Sequence, residues 1–296
     1  MNAHENVLSI EGTPHVSSAK DGKVGAILER EGKLGSADIG KVLDLQRAKG
    51  IRFGEAALRL GLISPDDLLG AVSKQYGFPH LSPGAGGVSR ELVTAYEPFH
   101  PRSEELRALR TQLLIRWSNT GIKRRMLAVV SPGSGEGRSY VAANLAVVFS
   151  QLGQRTLLID GDLRAPRQHR IFNVANREGL STVLSGRADI TAVNAVPGLG
   201  TLSLLPAGAC PPNPQELLLA PAFTSLLEEL ESAFDVILFD TPPAHVYADA
   251  QSLAFRAGSA LVLARKDRTR FGDTADVIRE LGDSGTHVMG TLFNAI

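Results

Sequence analysis

Ser131-Pro-Gly-Ser-Gly-Glu-Gly-Arg-Ser139 follows the apolar run Met126 to Val130 and precedes Tyr140 to Phe149, whose pattern predicts a helix. A strand, a glycine-rich turn and a helix start, in that order, make a phosphate-binding loop. Gly133, Gly135 and Gly137 let the backbone come close, so several N–H groups and the helix dipole converge on one anion. Ser134 and Glu136 lie between those glycines, and Ser139 would offer its hydroxyl to Mg2+. The fit to G-x-x-x-x-G-K-[ST] is imperfect, because Pro132 stands at the first glycine and Arg138 at the lysine. Taken alone, the segment would equally serve as an ordinary strand-to-helix turn.

Downstream, the pattern alternates strand and helix. Strands are predicted at 156–160, 201–205, 235–240, 259–264 and 287–293, as continuous β-branched and leucine runs of the kind that buried parallel strands show. Helices are predicted near 140–152, 214–231, 246–256 and 272–282. This is an α/β fold with a doubly wound, mostly parallel sheet, whose ligand site lies at the carboxyl ends of its strands. Leu157-Leu-Ile-Asp-Gly-Asp-Leu-Arg164 puts Asp160 and Asp162 just past one strand, and Val236-Ile-Leu-Phe-Asp240 puts Asp240 past another. A carboxylate there can hold Mg2+ or take a proton from an attacking hydroxyl. One such Asp is commonplace; three beside a glycine loop point to a nucleotide site.

At 296 residues the chain has room for about two domains. Its 31 basic and 31 acidic residues are evenly spread, 11 against 12 in residues 1–100 and 20 against 19 in the rest. Neither part has the positive field that nucleic acid or anionic lipid requires. The single Cys210 excludes an internal disulfide and suits a reducing compartment. No apolar run approaches the ~18–20 residues of a membrane span, and Met-Asn-Ala-His-Glu-Asn is not a signal peptide. These features predict a cytoplasmic protein without a transmembrane segment, meeting a membrane only through a partner.

Upstream, residues 1–20 are polar and predicted to be disordered. From Lys23 to Gln75 the sequence repeats with a period of 29: Gly25 aligns with Gly54, Gly32 with Gly61, and Gln46 with Gln75. Each copy reads as a short helix, a glycine stop and a second helix, with Ser36 and Ser64 as N-caps and Pro65 in a first turn. Residues 21–81 are therefore a small duplicated all-α domain. Its spacing resembles the N-terminal domain of type II secretion and pilus-assembly ATPases, and that resemblance implies cyclic di-GMP contacts at Lys23, Gly25, Gln46, Arg52, Gly54 and Gln75. Lys23 stands where that family prefers Arg, and Ala57 where it has Leu. The residues fit equally a helical docking module whose glycines only shape turns, and that is the preferred reading. Residues 82–102, rich in Gly and Pro, are predicted to be a linker. Ser103 is predicted to cap a helix to about Trp117 that carries Glu104, Arg107 and Arg110.

The loop, Leu158-Ile-Asp-Gly-Asp-Leu-Arg-Ala-Pro-Arg-Gln-His169, Pro212-Asn-Pro-Gln-Glu-Leu217 and Phe239-Asp-Thr-Pro-Pro243 together resemble the cytoplasmic domain of bacterial tyrosine kinases of the exopolysaccharide chain-length-determinant type, over about 103–296. The resemblance implies transfer of phosphate from Mg-ATP to tyrosine and control of polysaccharide export through a membrane-bound co-polymerase. It implies nucleotide contacts at Gly133, Ser134, Gly135, Glu136, Gly137, Arg138, Ser139 and Tyr140. Asp160 would be the base, with Arg138 and Asp162 also in the catalytic set. Ser139, Asp162 and Asp240 would order the metal, and Asn294 would touch the base of the nucleotide. Glu104, Arg107 and Arg110 would join copies into a homo-oligomeric ring, placing the protein at the inner membrane through its partner.

Two departures matter. Arg138 spreads its charge over a wider plane than Lys, and the chain reaches Ile296 without the family's tyrosine-rich tail. The tyrosines are Tyr76, Tyr96, Tyr140 and Tyr247, of which Tyr96, in the linker, is expected to be the most accessible. The acceptor is therefore expected on another protein. Two other readings stay open: a nucleotide-switched adaptor without catalysis, and a partitioning-type ATPase, although Gly133 occupies the position of that group's signature lysine.

Overall fold

The computed structural model describes residues 24–76, 81, 87–122 and 124–295. Residues 1–20 and Lys23 lie outside them. The chain forms two compact units, the first ending at residue 77. Among the described residues no helix is long and apolar enough to cross a membrane.

Four helices build the first unit: α1 (Val24–Arg30), α2 (Ser36–Lys49), α3 (Phe53–Arg59) and α4 (Pro65–Tyr76). Each copy of the repeat is a seven-residue helix, a left-handed glycine (Gly32 at φ 67°, Gly61 at φ 66°) and a longer helix. α1 packs on α4 and α2 on α3, so the short helix of each copy rests on the long helix of the other. Helices this short do not persist alone. The exchange closes one core of Ile27, Leu28, Leu34, Val42, Ala56, Ala57, Ile63 and Ala71. A Cβ on Gly25 would stand 3.0 Å from Phe53 Cζ, and one on Gly54 would stand 2.4 Å from Leu68 Cδ1. Packing alone thus accounts for this aligned glycine pair. Ser64 caps as its sequence predicts: its Oγ accepts from Asp67 N–H at 3.1 Å, while Asp67 Oδ2 accepts from Ser64 N–H at 3.0 Å. Ser36 does not. Gly35 is the N-cap, and the Ser36 hydroxyl instead donates to Glu29 Oε1 at 2.7 Å.

The second unit runs α5 (Val93–Tyr96), α6 (Pro101–Thr120), β1 (Met126–Val130), α7 (Arg138–Gln151), β2 (Thr156–Asp160), α8 (Gln168–Ile171), α9 (Leu180–Leu184), β3 (Asn194–Ala195), β4 (Leu202–Leu205), α10 (Pro214–Leu219), α11 (Pro221–Ala233), β5 (Val236–Asp240), α12 (Asp249–Ala257), β6 (Ser259–Arg265), α13 (Phe271–Asp283) and β7 (His287–Asn294). The strands lie in the order β3-β4-β2-β5-β1-β6-β7, all parallel except the short edge strand β3. Both sheet faces are covered. Leu127, Val129, Leu158, Leu238 and Leu261 feed one core, while Met126, Ala128, Leu157, Ile159, Ile237 and Phe239 feed the other. That is why these strands read as unbroken apolar runs. The single helix expected over 214–231 is two, because Ala220 is extended (ψ 148°) ahead of Pro221. α8, α9 and β3 are too short for a periodic signal.

Of the linker expected over 82–102, residues 82–86 lie outside the described residues, and 87–102 are packed on the α/β unit. Tyr96 is 6% exposed, not the accessible tyrosine expected, and its hydroxyl donates to Val88 O at 2.9 Å. Asn144, inside the all-round buried helix α7, holds this segment: its Oδ1 accepts from Thr94 N–H (3.1 Å) and Oγ1 (2.9 Å), and its Nδ2 donates to Glu91 O (2.9 Å). Nor is Ser103 the cap of α6. His100 Nδ1 accepts from Arg102 N–H at 3.1 Å, Pro101 opens the helix, and Ser103 Oγ donates to Glu97 O at 2.7 Å. Replacing Asn144 by Ala would strand the buried Thr94 donors, so Asn144→Ala should destabilise the second unit by about 2–4 kcal/mol. Thermal unfolding measures that loss, and limited proteolysis should show new cleavage within 87–97.

Candidate active site

Because β1, β2, β5 and β6 run parallel, the loops that leave them meet at one edge of the sheet. The 131–139 loop wraps the N-terminus of α7 there. Gly137 is left-handed (φ 102°), and a Cβ on it would strike Asn294 Nδ2 at 2.4 Å, so this position admits only glycine. The loop is braced on all sides. Ala244 and His245 donate their N–H groups to Ser131 O (3.0 Å) and Pro132 O (3.1 Å), Arg265 Nη1 donates to Gly135 O (2.6 Å), and Asn294 Nδ2 donates to Glu136 O (2.9 Å).

Two residues expected among the nucleotide contacts are spent inside the loop itself. Glu136, 3% exposed, accepts from Gly133 N–H at 2.7 Å and from the Thr269 hydroxyl. Gly133 therefore has no N–H to give a phosphate. Arg138 is also largely committed: its Nε donates to Thr241 O at 2.8 Å and its Nη1 to Ser131 Oγ and Gly133 O. A lysine's single ammonium could not span these acceptors on two loops. Arg138 is thus a clamp between the β1–α7 and β5–α12 loops, with one edge of its guanidinium facing the site.

A cavity of about 500 Å³ opens above the loop, lined by Ser134, Gly135, Gly137, Arg138, Ser139, Asp162, Arg164, Arg167, Pro243, Val246 and Tyr247. Five of the expected nucleotide contacts and Asp162 share it. Tyr140 and Asn294 instead line a neighbouring cavity of about 590 Å³, walled by α6 through Arg102, Glu105, Leu106 and Leu109. Of the three α6 residues expected to join copies, Arg107 donates to Pro98 O (2.6 Å) and Glu104 (3.0 Å), and Arg110 donates to Val148 O (2.8 Å). Both arginines thus brace their own chain, and Glu104, paired with Arg107, is the most exposed of the three.

Beneath the 500 Å³ cavity lie Asp160 and Asp240, both fully buried and directly opposite one another in the register of β2 and β5. Asp160 Oδ2 accepts from the N–H groups of Arg167 (3.0 Å) and Gln168 (2.9 Å), and Asp240 Oδ2 accepts from Gln168 Nε2 (2.8 Å). Each carboxylate's Oδ1 is buried without a partner among the described residues. Burial, reinforced by repulsion from Asp240, pushes the Asp160 carboxyl well above its ordinary value. Burial also raises Asp240, against hydrogen bonds from Ser139 and Gln168 and the charge of Arg138. Asp162 is exposed to the cavity and folds back to accept from Arg164 N–H (3.2 Å) and Ala165 N–H (2.9 Å). Arg164 is clasped by buried Asp249 (Nε to Oδ2, 2.7 Å) and lies 4.1 Å over the Tyr247 ring.

Sequence reasoning assigned no role to Arg164, Arg167, Gln168 or Tyr247. The first three sat inside a quoted motif, where the density of basic and amide groups after a strand was the available signal. Thr269 and Glu91, which brace the site from far along the chain, gave no local signal.

Known proteins resemble this chain in sequence and fold. A family model for cellulose biosynthesis protein BcsQ matches residues 125–271. EpsB of Ralstonia solanacearum is 37% identical over 208 residues, covering 69% of this chain and 27% of that one. Tyrosine-protein kinase YwqD of Bacillus subtilis is 33% identical over 207 residues, covering 70% of this chain and 86% of YwqD. The chain belongs to the bacterial tyrosine-kinase family. In three dimensions this family member matches the kinase domain of Escherichia coli tyrosine kinase ETK with a TM-score of 0.65 at 28% identity, over 69% of this chain and 80% of that one. The septum site-determining protein MinD of Pyrococcus horikoshii, solved with Mg-ADP, matches with a TM-score of 0.50 at 25% identity, over 57% of this chain and 69% of that one. The chain spans about a quarter of the length of EpsB and most of YwqD.

A carboxyl group with a raised native pKa binds its proton more tightly folded than unfolded. Its stabilising effect is complete below the ordinary value and is lost as pH rises through the native one. The ligand-free protein therefore carries an electrostatic cost at neutral pH, and Asp160→Asn should raise its melting temperature there. The gap to wild type should narrow as the pH falls toward 4. A melting temperature unchanged or lower at pH 7–8 would contradict this origin of the strain.

Proposed function

We propose that this chain is a protein tyrosine kinase that transfers the γ-phosphate of Mg-ATP to tyrosine on a membrane-bound polysaccharide co-polymerase, and so regulates exopolysaccharide chain length and export. The observation that carries the reading is the convergence of Arg138, Ser139 and Asp162 around one cavity, with Asp160 and Asp240 paired beneath it. Family membership and the kinase names of relatives such as YwqD support it.

The residues fit Mg-ATP. Backbone N–H groups at a helix N-terminus suit phosphate, and two buried carboxylates with partnerless oxygens need a compensating cation. Ser139, Asp162 and Asp240 would hold the metal, directly or through water. Mg2+ commonly takes most of its ligands from phosphate and water, in keeping with the lack, among the described residues, of any cluster of three His, Cys, Asp or Glu side chains built for a metal. When bound, the metal supplies charge neutralisation on the phosphate oxygens. Gly135 and Gly137 approach the phosphates, while Arg138 fixes the loop and lends positive charge. The base of the nucleotide would enter the Tyr140–Asn294 cavity.

The proton of the acceptor tyrosine falls to Asp162 rather than to Asp160. Asp160 is sealed below the cavity with one oxygen spent on two backbone N–H groups, whereas Asp162 faces open space. Tyr96 is buried and Tyr247 is stacked under Arg164, so neither is a free acceptor, and the exposed tyrosine is Tyr76 of the first unit. Assembly of copies would use the exposed Glu104–Arg107 edge of α6, and association with the inner membrane would come through the co-polymerase.

Purified protein with Mg-ATP and the co-polymerase should label a tyrosine on the partner. Asp162→Asn should lower transfer by about two to four orders of magnitude, the usual worth of a general base, with a smaller loss of Mg-ATP affinity from its share in the metal site. Asp240→Asn should instead weaken binding of Mg-ATP itself. Binding without any tyrosine labelling would leave the switch reading, which the commitment of Arg138 to backbone carbonyls favours.

For the first unit we propose a docking role. The close approach of Gly25 to Phe53 and of Gly54 to Leu68 explains these glycines without a ligand. A calorimetric titration of the full chain with cyclic di-GMP should be flat; saturable binding lost in Arg52→Ala would reverse that reading in favour of a dinucleotide site.

A further inference from the structure

The cavity of the candidate active site holds three arginines, and each is tied to something different. Arg138 is tied to loop carbonyls and Arg164 to buried Asp249. Arg167 is tied to Glu91, in the segment ahead of α6 that the sequence pattern marks as a linker. The tie is one-sided. Arg167 Nη2 alone donates to both Glu91 oxygens, at 2.8 Å to Oε1 and 2.7 Å to Oε2. Its Nε and Nη1 make no hydrogen bond among the described residues, while the side chain lines the cavity.

Both ends of this contact are fixed. The Arg167 backbone N–H donates to Asp160, one of the two buried carboxylates. Glu91 is held through its own carbonyl by Asn144 of α7, and Ser89, two residues before it, donates its N–H to Ile171 O at 2.7 Å at the end of α8. With side chains 47% and 41% exposed, the ion pair adds little to stability, so its geometry is not explained as part of the fold's foundation. A planar guanidinium gripped at one nitrogen presents the remaining donors in a fixed direction, and charge-assisted bonds from such a fork to phosphate are short and strong.

We propose that Arg167 is a further phosphate-binding cation of the site, directed at the terminal phosphate of the nucleotide, and that Glu91 is its positioning residue. The working site then extends to Glu91, in the segment ahead of α6. The assignment rests on the nucleotide reading of the cavity, but not on transfer to tyrosine.

The experiment compares equilibrium affinities of the full chain for Mg-ATP and Mg-ADP, since only the former carries the terminal phosphate. Arg167→Ala should reduce the preference for ATP over ADP by about tenfold, and Glu91→Ala by about three- to tenfold, with ADP affinity nearly unchanged. Glu91→Gln, which retains one acceptor oxygen, should fall between Glu91→Ala and wild type. In the double variant the Glu91 effect should vanish, since a positioning residue acts only through its target. Arg167→Lys should restore the preference only in part, because a flexible ammonium lacks the planar fork that Glu91 holds in one direction. An unchanged ATP/ADP ratio in Arg167→Ala, or a full Glu91→Ala effect persisting without Arg167, would overturn the proposal. So would a wild type that binds the two nucleotides equally. A wild type that prefers Mg-ATP through Arg167 yet labels no tyrosine would sink the kinase reading and leave this one standing.

Discussion

Two carboxylates face each other across adjacent parallel strands, out of contact with solvent, and much of the second unit is arranged around that fact. Register puts Asp160 opposite Asp240, and like charges this close in a poorly solvated place cannot both ionise cheaply. The surrounding structure softens the repulsion without removing it. Two backbone N–H groups at the start of α8 point at one acid, and Gln168 and Ser139 serve the other. One oxygen on each is left without a partner. A fold that keeps such a pair holds part of its electrostatic complement open for a cation, and the cavity above it supplies the room. This is the usual way in which a binding site is less stable than the core that carries it.

The phosphate loop shows how an altered motif can keep its shape. A lysine at position 138 would bring a mobile point charge. Arginine there ties the loop to the strand end that carries Asp240, through Thr241 O, and closes the loop on itself through Ser131 and Gly133. Glu136 mirrors it from the other side, joining Gly133 to Thr269. The loop is thus held by polar side chains belonging to it, and further arginines, Arg164 and Arg167, reach the cavity from the segment that follows β2. Rigidity of this sort suits chemistry that depends on positioning more than on covalent steps.

The first unit follows a different logic. Each short helix of its repeat seats on the long helix of the other copy, and the two copies close one core. The aligned glycines Gly25 and Gly54 lie where neighbouring side chains come closest. The same residues that suggest a ligand in the resembling family are therefore already in use for packing.

The sequence alone was enough for the parallel sheet, the duplicated helical unit and the acid-bearing strand ends, because each writes a local signal. Buried parallel strands are apolar without interruption, amphipathic helices repeat with their own period, and Asp160, Asp162 and Asp240 directly follow such strands. It was not enough for the state of those residues. Whether Asp160 faces solvent or lies sealed beneath Asp162 depends on the pairing of β2 with β5, and the use of Gly133 and Arg138 depends on partners up to a hundred residues away in the chain. The segment 87–102 reads as a linker from its Gly and Pro content, yet it is folded because Asn144 on α7 supplies the hydrogen bonds its backbone lacks. Local propensity reports which conformations a stretch can adopt; only tertiary contacts decide which of its polar groups are left over for a ligand.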